Sequence, residues 1–72
     1  MTEFIMRGDF EYEINVNRTG IRGGWKATVY RKDKNQQYAW VFATKVHQGQ
    51  GAKVRAYLDA QSWLQNNTLC TD

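Results

Sequence analysis

From Phe10 to Asn17 the chain reads Phe-Glu-Tyr-Glu-Ile-Asn-Val-Asn, with apolar and polar residues in unbroken alternation. Successive side chains of a strand point to opposite faces. This period of two therefore predicts a strand with Phe10, Tyr12, Ile14 and Val16 on a core and Glu11, Glu13, Asn15 and Asn17 toward water. Residues Trp25–Lys32 alternate again and are rich in β-branched and aromatic types, predicting a second strand that adds Trp25, Ala27 and Val29 to the same core. Its other face then carries Lys26, Thr28, Tyr30 and Lys32. A third strand is predicted over Tyr38–Val46; it is apolar on both sides for much of its length, as expected of a central strand or of one covered on both faces. The three glycines of Arg18–Gly24 predict a turning loop, and Asp33–Gln37 a longer hairpin connection.

After the break His47-Gln48-Gly49-Gln50-Gly51, the segment Ala52–Asn66 places Val54, Tyr57, Leu58, Gln61 and Leu64 at three- and four-residue spacings, which predicts an amphipathic helix with these residues as its core stripe. Trp63 falls beside the stripe, where it would cover a sheet edge or stand partly exposed. Asn66-Asn67 is the expected stop, because asparagine tolerates the left-handed cap conformation, and the last five residues are expected to fray. Ahead of Asp9, Phe4-Ile5-Met6 reads as an arm or as a short edge strand. The fold class that follows is α+β: one domain over residues 1–72, a three-stranded antiparallel sheet with room for a short fourth N-terminal strand, packed by one C-terminal helix.

Length limits what such a core achieves. A chain of 72 residues buries only about 60% of its unfolded surface, so stability is a few kcal/mol. In so thin a core, Trp25, Trp40 and Trp63 supply buried area that longer chains collect from many aliphatic residues. The third strand then decides the character of the open sheet face. With Trp40 and Phe42 inward, that face is an ordinary solvated surface with glutamates opposite lysines. With both outward, Tyr30, Tyr38, Trp40 and Phe42 make an aromatic patch flanked by lysines, a surface of the kind that stacks bases or forms dimers.

The net charge of +3 hides an uneven layout. Between Ile14 and Leu58 stand Arg18, Arg22, Lys26, Arg31, Lys32, Lys34, Lys45, Lys53 and Arg55 against Asp33 alone, whereas Glu3, Asp9, Glu11 and Glu13 make the N-terminal segment acidic. A polyanion is the partner such a block fits, although lysines on strands also keep sheet edges soluble. Arg18 and Arg22 lie in a glycine loop that allows close backbone approach to phosphates. No Lys-Ser or Lys-Thr follows these glycines, and the next element reads as a strand, so the loop is not of the nucleotide-cradling kind. The candidate nucleic-acid contacts are Arg18, Arg22, Lys26, Tyr30, Lys32, Lys34 and Lys45.

Catalytic chemistry is hard to assemble. His47 and Cys70 are single residues of their kind, too few for a metal cluster of recognised spacing, and Glu11 and Glu13 share one exposed strand face without a companion base. No enzyme activity, metal or cofactor is expected. A lone cysteine fits a reducing compartment, and neither a leader nor a membrane-length apolar run is visible, so a soluble cytoplasmic protein is expected.

The order of elements resembles the arm-binding domains of phage-type tyrosine integrases, in Gly24-Trp25-Lys26-Ala27-Thr28-Val29 and in Phe42-Ala43-Thr44-Lys45 ahead of the helix. The resemblance covers about 40 residues. It implies a three-stranded sheet backed by a helix, with Lys26, Thr28, Tyr30 and Lys32 facing DNA and Arg18 and Arg22 on its backbone. The Gln48–Gly51 insertion and the acidic Glu11 and Glu13 depart from that pattern. Tyr38–Leu58 also resembles short proteins of prophages and plasmids. The leading expectation is a nucleic-acid-binding accessory protein of mobile-element type, with DNA ahead of RNA as its partner. The alternative is a protein-interaction module or inhibitor, or a homodimer, anchored by Trp40, Phe42 and Trp63.

Overall fold

The alternation that predicts the first two strands also sets the layers of the molecule. The structure, a computed structural model, describes residues 2–20 and 23–68, so Arg22 and Cys70 lie outside the described residues. Strands β1 (Thr2–Arg7), β2 (Phe10–Arg18), β3 (Trp25–Lys32) and β4 (Tyr38–Ala43) form an antiparallel sheet in the order β1-β2-β3-β4, and helix α1 (Ala52–Asn67) packs on one face. Tyr12, Ile14, Val16, Ala27 and Val29 are all 5% exposed or less and meet the helix, on the face their alternation assigns.

The N-terminal segment is a full edge strand. A two-residue turn joins it to β2, with Gly8 first and at φ 64°, the left-handed geometry that such hairpins require of their first residue. Ile5 pairs with Tyr12 and turns to the core. Phe4 and Met6 pair with Glu13 and Glu11 on the other face.

The third predicted strand departs from expectation in three ways. It is an edge strand, β4, not a central one; it ends at Ala43 rather than Val46; and its two large aromatics do not share a face. Val29 pairs with Phe42 whereas Tyr30 pairs with Trp40, so Val41 is an extra residue on β4, a β-bulge. A bulge resets the alternation, sending Phe42 to the core face with Val29 and Trp40 to the open face with Tyr30. Beyond the bulge the chain stays tied to β3 without being regular strand. Thr44 is buried, its Oγ accepts the Ala27 amide at 3.1 Å, and its own amide donates to the Ala27 carbonyl at 2.9 Å. His47 and Trp25 exchange both backbone hydrogen bonds, at 2.7 and 2.8 Å.

The helix is turned differently from its predicted stripe. Ala52, Ala56, Ala60 and Leu64 are the buried residues, while Val54 and Leu58 are 58% and 50% exposed. Positions two apart differ by about 200° around a helix, so burying the alanine row forces Val54 and Leu58 to the far side. Small side chains let the helix lie close on β2 and β3, and its longer residues then reach sideways to the sheet edges. Trp63 stacks on Phe42 of β4, with ring centroids 4.9 Å apart and planes 10° apart. The Tyr57 hydroxyl donates to the Glu3 carboxylate of β1 at 2.5 Å. Asn66 and Asn67 are both helical; the helix stops at Thr68, an extended residue whose amide and hydroxyl both donate to the Leu64 carbonyl. Arg7 Nε in turn donates to the Thr68 hydroxyl at 3.2 Å, tying β1 to the helix end.

Candidate nucleic-acid interface on the open sheet face

On the face away from the helix, the register sets side chains in rows. Met6, Glu11, Lys32 and Tyr38 form one row, and Phe4, Glu13, Tyr30 and Trp40 the next. Asn15, Thr28 and Ala43 follow, with Thr2 beside Asn15, and Asn17 pairs with Lys26 beyond them. Phe4, Met6, Tyr38 and Trp40 are 58%, 63%, 41% and 62% exposed, so most of the large exposed apolar area of the sheet lies here. The face divides down its middle. The β1–β2 half is apolar and acidic, and the β3–β4 half is aromatic and basic.

Polar contacts fix the orientation of several of these groups. The Tyr38 hydroxyl donates to Glu11 at 3.1 Å, with the Lys32 ammonium 5.8 Å from the centre of the Tyr38 ring. Partial loss of water around the Tyr38 phenol, then its hydrogen bond to Glu11 and the charges of Glu11 and Glu13, hold its pKa above the ordinary value. Asn15 Nδ2 donates to Glu13 at 2.6 Å. An open cleft of about 380 Å³ lies at the end of this face between the β1–β2 turn and the β3–β4 loop, lined by Met6, Phe10, Glu11, Lys32 and Lys34 among others. In that loop Asp33 Oδ1 accepts the amides of Asn35 and Gln37 at 2.8 and 2.9 Å, which orders the backbone next to Lys34.

The candidate contacts are therefore placed unevenly. Lys26, Tyr30 and Lys32 share the open face, Lys34 sits in the loop at one end of it, and Lys45 is exposed just after the buried Thr44. Arg18 pairs with Trp25 and alternates with the core residues of β2, which puts it toward the helix side. The rest of the basic block serves the fold. Arg31 stacks on Phe10 at 4.7 Å, Lys53 lies 5.2 Å from the centre of the Trp25 ring, and Arg55 donates to the Gln50 and Gln48 carbonyls at 2.6 and 2.5 Å. Those last two bonds hold the loop that leads into the helix, where no side chain caps the N-terminus. His47, mostly buried, places Nε2 2.6 Å from Asp59 Oδ2 and fixes the same loop to the helix.

The anchors of the alternative reading do not form one surface: Trp40 projects from the open face, while Phe42 and Trp63 stack on each other beside the core. Phe4 and Met6 were not among the candidates; the signal that finds them is the alternation of Phe4-Ile5-Met6, with Ile5 the residue turned inward. Among the described residues no three His, Cys, Asp or Glu side chains gather as a metal site, and no helix is long and apolar enough to cross a membrane. No protein-family model, curated protein or solved structure matches this chain.

Proposed function

We propose that the chain is a small nucleic-acid-binding module of mobile-element type that uses the β3–β4 half of its open sheet face. The observation carrying this reading is the cross-strand pair Tyr30–Trp40, with Trp40 62% exposed and Lys26 and Lys32 on the same face. Aromatic rings that accept bases by stacking, beside ammonium groups that meet phosphates, suit nucleic acid in either form, and the rings suit unpaired bases most. The resemblance to integrase arm-binding domains favours DNA and the same face. Lys45 and Lys34 extend the positive strip, whereas Arg18, on the helix side of β2, stands apart from it. Glu11 and Glu13 confine the contact to the β3–β4 half, because phosphate passing over β2 meets carboxylates.

Titration of labelled single-stranded and duplex oligonucleotides at two salt concentrations tests the reading. Affinity should fall as salt rises, with a slope of about three to four released counterions for the lysines of the strip. Trp40→Ala should weaken single-strand binding by about 1–3 kcal/mol. Binding weaker than millimolar at low salt, or affinity indifferent to salt, overturns it.

A further inference from the structure

The two halves of the open face are complementary to each other, row by row. Consider a second copy related by a two-fold axis that lies between the facing sheets and runs along the strands. This operation keeps each row at its level and reverses its order, so β1 lies over the partner's β4 and β2 over its β3. Glu11 then faces Lys32 of the second copy, Phe4 faces its Trp40, Met6 its Tyr38, and Glu13 the hydroxyl end of its Tyr30, each contact occurring twice. An axis running across the strands instead sets each strand over its own copy, so the acidic β2 faces β2 and the lysine-bearing β3 faces β3, with no acidic row over a basic one. Charge thus selects the first arrangement. It is also the aligned geometry, with sheets about 10 Å apart, in which two sheets normally pack face to face.

We infer that the open face binds a second copy of this chain in a face-to-face, two-fold symmetric dimer, and that this dimer masks the Tyr30–Trp40 surface. The exposures fit such a partner: Phe4, Met6, Tyr38 and Trp40 are the large apolar groups left open on the sheet, and they meet one another across the axis. The flat area is small. Four strands and six residues span about 20 Å by about 20 Å, short of the roughly 800 Å² per partner of a standard interface even when side-chain relief is added. Association is accordingly weak, concentration-dependent and sensitive to single charges. The inference stands on the register and charges alone and does not need the nucleic-acid reading, with which it shares a surface.

Sedimentation of the full chain over a concentration series, with charge-reversed variants, tests the dimer. The wild-type chain should self-associate below about 1 mM, the weak end of specific affinity. Glu11→Lys alone and Lys32→Glu alone should each weaken association at least about tenfold, since each sets like charges across the axis. An equimolar mixture of the two variants should associate again. In the mixed pair, the lysine introduced by Glu11→Lys in one copy faces the glutamate introduced by Lys32→Glu in the other, and the second contact keeps the native pair of Glu11 and Lys32. Circular dichroism of each variant excludes unfolding as the cause of the single-variant loss. A wild-type chain that remains monomeric to about 1 mM, or a mixture that associates no better than its components, overturns the dimer. Oligonucleotide added to the dimer separates the two readings. Release of monomer–oligonucleotide complex supports both, and Glu11→Lys should then bind oligonucleotide more tightly while dimerising less. A dimer that persists with no oligonucleotide bound at low salt leaves the dimer standing and removes the nucleic-acid reading.

Discussion

The two faces of the sheet carry similar aromatic content and put it to different uses. Under the helix, Tyr12, Ile14, Val16, Ala27 and Val29 are closed from water by a row of alanines, and almost every polar group nearby is used in the fold. On the open face, Phe4, Met6, Tyr38 and Trp40 stand among glutamates and lysines, and no element among the described residues covers them. Burial is decided by what the helix reaches, not by how apolar a residue is. Trp63 and Phe42 are drawn into the core because a helix residue reaches across to the β4 edge, whereas Trp40, two residues from Phe42, is left outside by the bulge.

This contrast breaks most sharply on the covered face. Ile14 is fully buried, and Ile14→Ala should cost about 2–5 kcal/mol, comparable to the whole stability of so short a chain, so urea denaturation should find it largely unfolded without denaturant. Gly24→Ala comes next. An added methyl would stand 2.5 Å from Val46 Cγ1 and 3.3 Å from the His47 carbonyl, against the very segment that carries β4 into the helix. Shifting that segment should cost about 1–3 kcal/mol, visible as a lowered thermal midpoint.

A smaller effect lies at the helix-to-edge contact. Tyr57→Phe removes the bond to Glu3 and should cost about 1 kcal/mol near neutral pH. That bond, then desolvation and the Glu3 charge, raises the Tyr57 pKa above the ordinary value near 10. The contribution is therefore complete below about pH 10 and is lost as pH rises past that value toward the raised pKa of the folded chain. Measured upward from neutral pH, the wild-type advantage over Tyr57→Phe should shrink only above about pH 10; an advantage that already shrinks between about pH 6 and 9 would point to a different origin. Smallest of all is Trp40→Ser. With most of its ring in water, its loss should change unfolding free energy by no more than about 0.5 kcal/mol while weakening whatever the open face binds. A large loss of stability there would mean that the open face is part of the core.

Strands β2 and β3, the face each of their residues occupies, the helix and its length, and the separation of acidic from basic segments all follow from the order of residues along the chain. These are local properties: strand alternation and helical spacing depend on backbone geometry shared by every such element, and Glu11, Tyr12 and Ile14 fall where the period of two puts them. Three matters depend instead on how the elements pack together. The face of Trp40 depends on a bulge at Val41, which exists through pairing with β3 and leaves no mark in a run that is apolar throughout. The rotation of the helix depends on how closely it approaches the sheet. Alanine scores weakly in any hydrophobic stripe, yet it allows the closest contact, and that contact put Ala52, Ala56 and Ala60 inside and Val54 and Leu58 outside. The division of the basic block into residues that hold the fold and residues that face outward likewise needed the partners of Arg31, Lys53 and Arg55, far from them in sequence or turned back onto the preceding loop. Charge and hydrophobicity are read one residue at a time, whereas the surface they make is set by which strands lie side by side.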